Sequence, residues 1–180
     1  MLTAQQQAFV QALEELDLQQ VQRLLTDGLS LNFIDPEKGP VISVWSDGLF
    51  KWWEAICEAY EAGAPLSEQE KQQTLAVHLD ILEQLIHGKA NLHLWDTEEI
   101  YGPLWDAASA ACAPAVKRLL DEKVDPNTKD EDGLTILSSI SALFFDCEFD
   151  EINWAEALAE EKQTLELLRQ HGAKMTKELA

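Results

Sequence analysis

Apolar residues fall in short helical blocks, each closed by a turn, and one such block returns in altered form along the chain. It runs Asp17-Leu-Gln-Gln-Val21-Gln-Arg-Leu24-Leu25-Thr-Asp-Gly28, then Leu82-Glu-Gln-Leu85-Ile86-His-Gly-Lys89, Val116-Lys-Arg-Leu119-Leu120-Asp-Glu-Lys123 and Leu165-Glu-Leu-Leu168-Arg-Gln-His-Gly172. An apolar residue, two variable ones, one or two further apolars and a turn describe one face of a helix and its end. The leading apolars at 21, 82, 116 and 165 lie 61, 34 and 49 residues apart. A unit of nearly constant length has therefore been lengthened twice.

The remaining pattern is almost entirely helical. Thr3 to Gln6 reads as a capping box, with Phe9, Val10 and Leu13 on one face of the helix it opens, and Asp17 with Gln20 caps a second helix that ends at Gly28. Leu49, Trp53, Ile56, Cys57 and Tyr60 form a helical stripe that stops at Gly63-Ala-Pro65. Ser67-Glu-Gln-Glu70 is a capping box for a helix continued by Leu75, Leu79, Leu82 and Ile86. Both helices of the second unit are thus predicted to be long. In the fourth unit Phe144-Phe-Asp-Cys-Glu-Phe-Asp-Glu151 breaks one helix from another near 151–170, where Trp154, Leu158, Leu165 and Leu168 share a face that also contains Glu161.

Finger-like segments follow the turns, as at Leu31-Asn32 and Asp125-Pro-Asn127, and acidic loops lead into the next helix. Gly102-Pro103-Leu104-Trp105-Asp106-Ala107-Ala108 resembles the Thr-Pro-Leu-His-x-Ala-Ala signature of ankyrin repeats, with Gly102 and Trp105 departing from it. Asp130-Glu-Asp-Gly133-Leu-Thr135-Ile136-Leu137 resembles it too, with Ile136 in place of proline, and Gly39-Pro40-Val41-Ile42 is a weaker copy. The interval of 34 is close to the roughly 33-residue ankyrin period. The chain therefore resembles a divergent ankyrin-repeat protein of the small acidic bacterial type. That resemblance implies an all-α, helical-hairpin solenoid of about four repeats with enlarged second and fourth repeats. A single ankyrin-like domain would span 1–180, with repeats near 1–33, 34–93, 94–127 and 128–180.

Composition agrees with a folded chain, because 46% hydrophobic residues are enough for a core. The expected location is cytoplasmic: no basic-headed apolar segment opens the chain, no apolar run approaches 18 residues, and three cysteines without a Cys-x-x-Cys pair fit a reducing compartment. Cys57, Cys112 and Cys147 are expected to be small buried hydrophobes. No phosphate-cradling loop, Gly-x-Ser-x-Gly or His-Glu-x-x-His occurs. His78, His87, His93 and His171 lack ligand spacing, with His87 and His171 near helix ends and His78 bordering an apolar stripe. The expectation is a non-enzyme with no cofactor and no bound metal.

Charge directs the functional reading. Thirteen Lys plus Arg against thirty-three Asp plus Glu leave a net −20, which repels nucleic acid and anionic membranes and favours a basic protein partner. An acidic balance also serves solubility alone. In the ankyrin register Asp35 and Glu37 fall in one finger, Asp96, Glu98 and Glu99 in the next, and Asp130, Glu131 and Asp132 in the third, forming an acidic ridge on a concave edge. Tryptophan is abundant, and aromatic residues anchor interfaces. Trp53 belongs to the apolar stripe and Trp105 to the interior of a hairpin. Trp45, Trp95 and Tyr101 lie nearer the loops, where core packing and partner contact compete. The expected function is a protein-binding module, monomeric, of the kind that acts as an inhibitor or immunity protein against a basic toxin or nuclease. Two alternatives differ in class: a nucleic-acid mimic that occupies a DNA- or RNA-binding cleft, with acids spread evenly over one face, and an enzyme with an unrecognised site.

Overall fold

A computed structural model of the chain describes residues 1–93, 102–130, 132–145 and 159–179. They gather into two compact units, Met1–Pro103 and Leu104–Ala180. Both are helical, and strand structure among the described residues is confined to the fingers.

In the first unit, α1 (Ala4–Glu14) and α2 (Leu18–Thr26) form a hairpin, as do α3 (Val41–Glu61) and α4 (Glu68–His87). The predicted caps are present. Thr3 Oγ1 accepts from the Gln6 amide at 3.2 Å while Gln6 Oε1 accepts from the Thr3 amide at 2.8 Å. Asp17 Oδ1 accepts from the Gln20 amide at 3.0 Å, and Ser67 and Glu70 make the second capping box. Each cap satisfies amides that the first helical turn leaves without a carbonyl. First helix contacts first helix and second contacts second, α1 with α3 and α2 with α4, and each helix also contacts its hairpin mate. Phe9, Leu13, Val21, Leu24, Trp45, Leu49, Ile81, Leu82 and Leu85 fill the space between them.

The second unit is built from α5 (Pro103–Ser109), α6 (Ala113–Asp121), α7 (Ile136–Phe145) and α8 (Ala159–Gln170). Its core mixes large residues, such as Leu104, Trp105, Val116, Leu119, Ile136 and Leu165, with a run of buried alanines in α5 and α6. α8 packs on α6 and α7. The stretch 146–158, including Cys147, Trp154 and Leu158, lies outside the described residues.

The fourfold block appears as a repeated helix ending. After α2, α4, α6 and α8 the backbone enters the left-handed region, at Gly28 (φ 86°), Lys89 (59°), Lys123 (67°) and Gly172 (87°). Each time the amide one residue on reaches back to the block's central leucine: Leu29 to Leu24 O and Val124 to Leu119 O at 3.2 Å, Ala90 to Leu85 O and Ala173 to Leu168 O at 2.9 Å. These bonds satisfy a carbonyl at the helix end and turn the chain sharply. Val21, Leu82, Val116 and Leu165 are fully buried, and the four leucines are buried as the spacing predicts. Glycine spares the left-handed cost in two repeats. In the second it is used one residue earlier, because a Cβ on Gly88 would lie 2.7 Å from Leu31 Cδ1. Lys89 then takes the left-handed turn.

Three first helices end alike. The amides of Asp17, Ala64 and Cys112 donate at 2.9 Å to the carbonyls of Ala12, Ala59 and Ala107, each just after a left-handed residue: Leu16, Gly63 and Ala111.

Candidate binding surfaces

The fingers between hairpins share one construction. In the first unit β1 (Ile34–Asp35) pairs antiparallel with β2 (Gly39–Pro40). In the second, Lys129 bridges Thr135. An aspartate holds each turn from inside. Asp35 Oδ1 accepts from the amides of Glu37 at 2.8 Å and Lys38 at 3.1 Å, and Asp130 Oδ1 accepts from the Leu134 amide at 2.8 Å. Asp35 and Asp130, both expected to meet a partner, thus shape the loops through their own backbone bonds. Glu37 and Asp132 are exposed at the tips. Trp95, Asp96, Glu98, Glu99, Tyr101 and Glu131 lie outside the described residues.

Trp45 corrects an expectation. Placed by its sequence position near a loop and offered as a contact residue, it is 2% exposed, and its indole N–H donates to the His78 carbonyl at 2.9 Å. The helix begins at Val41, eight residues before the first residue of the predicted apolar stripe, which carries Trp45 onto its buried face. Trp105 is buried as predicted, with its indole N–H 3.4 Å from Thr128 Oγ1.

A groove of about 510 Å³ opens in the first unit between α1, the finger and α3. Glu14 pairs with Lys38 at 2.5 Å and Asp47 with Lys51 at 2.6 Å, and Glu37 adds a third carboxylate. The Lys51 ammonium is held above its ordinary pKa, chiefly by its hydrogen bond to Asp47. The groove is a polar, largely self-neutralised surface. Sequence reasoning missed Glu14, Asp47 and Lys51, because they converge only through the stacking of α1 on α3.

The α3–α4 hairpin is less uniform. His78 sits at its base, 2% exposed, with neither ring nitrogen hydrogen-bonded. Its ring centroid lies 5.9 Å from that of Trp52, the planes tilted by 48°. Desolvation lowers its pKa to about 4, so the imidazole is neutral at pH 7. Beyond this base the stripe of α3 leaves the core. Leu49 is fully buried, Trp52, Trp53 and Ile56 are half-buried, and Tyr60 is 76% exposed. Cys57 is exposed too, against the expectation of a buried thiol, whereas Cys112 is buried and its thiol pushed up to about 11.

In the second unit a hydroxyl and amide network ties the third finger to the segment after α8. Asn127 donates to Gly172 O at 3.0 Å and accepts from the Lys174 amide at 2.9 Å. Thr135 and Ser138 bond to Thr176 and Lys174. Thr135 and Ser138 are buried and Asn127 and Thr176 half-buried, and their bonds fix the loop geometry.

No group of His, Cys, Asp and Glu among the described residues is arranged to hold a metal ion, and no described helix is long and apolar enough to cross a membrane. No protein-family model matches the chain, and no curated protein is significantly similar to it.

Proposed function

We propose that the chain is a divergent ankyrin-type, non-enzymatic protein-binding module whose partner is a basic protein. The observation that carries this reading is the fourfold helix ending with its intervening fingers. It is a repeated scaffold whose variable residues lie at the loop tips, the arrangement repeat proteins use to build contact surfaces. The exposed finger acids Glu37 and Asp132, and the net −20, support a basic partner. Long-range attraction would raise the encounter rate, and contacts near the fingers would set the lifetime of the complex. An inhibitor or immunity protein that neutralises a basic toxin or nuclease is the specific role this proposal favours, in the cytoplasm and as a monomer.

The test is retention of proteins on the immobilised chain with elution by a salt gradient, followed by binding kinetics of the purified partner. A single basic protein whose association slows as salt rises supports the proposal. A partner of acidic or neutral charge, bound with salt-independent kinetics, contradicts it.

A further inference from the structure

The groove between α1, the first finger and α3 holds more acceptors than its own donors satisfy. Lys38 and Lys51 are paired with Glu14 and Asp47, and the Glu37 carboxylate is left without an ion pair among the described residues. The Lys51 ammonium is held above its ordinary pKa by Asp47 first and by Glu14 and Glu54 beside it, so the field around it is negative. An ion-paired carboxylate keeps free lone pairs, and Glu14 and Asp47 can still accept further hydrogen bonds.

Acidic side chains alone would make only a solvated face, and a second observation sets this one apart. Four buried side-chain polar atoms among the described residues lack a hydrogen bond, and three of them gather here: Ser43 Oγ and both ring nitrogens of His78. Ser43 lines the groove directly. His78, 2% exposed, approaches it by way of Gly48. Gly48 also lines the groove, in the interior of α3, where a glycine weakens the helix. Packing does not require it, because a Cβ there would meet only His78 Cε1, at an ordinary 3.9 Å. Cε1 lies between the two ring nitrogens, so the imidazole turns its unbonded edge toward the gap that the missing side chain leaves. Buried polar atoms are normally paired, and orphans converging on one concave surface mark a place where an outside group completes the bonds.

We infer that this groove receives a guanidinium group, carried by an arginine of the basic partner. The inference rests on the reading of the chain as a binder of basic proteins, and it moves the contact from the finger tips into the groove beside the first finger. Arginine brings five N–H donors in a rigid plane and a charge that persists at any pH near neutrality. The acceptors that meet it are the carboxylates of Glu37, Glu14 and Asp47 and the Ser43 hydroxyl oxygen. The imidazole of His78, neutral at pH 7, lies beyond Gly48 without opposing the cation. At about 510 Å³ the groove accommodates one such side chain, and its charged lining suits a cation better than an apolar ligand.

The experiment is an NMR titration of the full chain, at physiological salt, with capped arginine and with its uncharged isostere, capped citrulline. Arginine should shift the Gly48 amide and the His78 Cε1–H saturably, binding on the order of tenfold more tightly than citrulline, the worth of one charge-assisted contact. Glu37→Gln, at an exposed position where folding is not at risk, should weaken arginine severalfold. Gly48→Leu, which fills the gap, should abolish binding, and Asp132→Asn, outside the groove lining, should leave it unchanged. Equal binding of arginine and citrulline would overturn the inference, as would the absence of any saturable shift. Equal weakening by Glu37→Gln and Asp132→Asn would overturn it too, leaving only diffuse charge attraction. A basic protein captured on the wild type that binds Glu37→Gln and Gly48→Leu as tightly would strike the groove alone, whereas the basic-partner reading stands or falls on the salt-gradient capture.

Discussion

Acidification should destabilise the protein through His78, and the size of the effect follows from its surroundings. The imidazole is 2% exposed with neither nitrogen paired, and burial alone lowers its pKa from 6.5 to about 4. A base depressed in the folded state is protonated first in the unfolded chain. Stability is therefore intact above the unfolded pKa and is lost as pH falls toward the folded one. Between pH 7 and pH 5 the linkage amounts to about 2 kcal/mol, approaching about 3 kcal/mol near pH 4. Carboxylates titrate over part of the same range, so the assay is a difference: urea unfolding of the wild type and of His78→Leu at each pH. The substitution leaves the backbone carbonyl that Trp45 uses and removes two orphaned polar atoms, so at pH 7 it should be neutral or stabilising. Its stability should fall less than the wild type's by about 2 kcal/mol on going to pH 5. Parallel pH profiles for the two proteins would refute the argument that His78 is desolvated and unpaired.

Other consequences are more local. Leu85→Ala and Leu119→Ala each remove a fully buried side chain at the centre of a repeat, and each should cost about 2–5 kcal/mol in chemical denaturation. Asn127→Ala breaks two hydrogen bonds to the segment after α8 and should cost about 1–2 kcal/mol, with faster amide exchange at 173–175. In a Cys147→Ser background, Cys57 should react with a thiol reagent within the mixing time, while Cys112, buried and held at about 11, reacts only on unfolding.

The repeat was legible because its register is written by residues with local jobs. A buried leucine, three intervening positions and a left-handed turn recur whatever surrounds them, so four endings could be aligned across intervals of unequal length. The glycine was a less faithful marker: close packing against Leu31 claimed Gly88, and Lys89 took the turn in its place. Capping boxes at Thr3 and Ser67 were readable for the same local reason. What spacing does not report is where a core stops. Leu49 and Tyr60 sit on one stripe of α3, yet one is fully buried and the other 76% exposed. The polar opening of α4 was the available signal, since a stripe needs an apolar mate to be buried. Trp45 was misplaced because the start of α3 carries no side-chain cap to announce it. His78 was placed at the border of its stripe, but its offsets of three from Leu75 and four from Leu82 put it within the buried face. Of the acidic fingers, the tips were legible as exposed acids, whereas the turn-holding roles of Asp35 and Asp130 depend on backbone geometry that composition does not encode.

The central claim is that this repeated scaffold recognises a basic protein through acids on its fingers. The most direct test measures association and dissociation of a partner captured on the wild type, using the chain with Glu98, Glu99, Glu131 and Asp132 replaced by Lys. The account predicts that the variant keeps its melting temperature, loses most of its association rate, and does so more at low salt than at high, since exposed charges act over a Debye length of about 8 Å at physiological salt. A variant that binds the same partner as fast and as tightly as the wild type at low salt would contradict it.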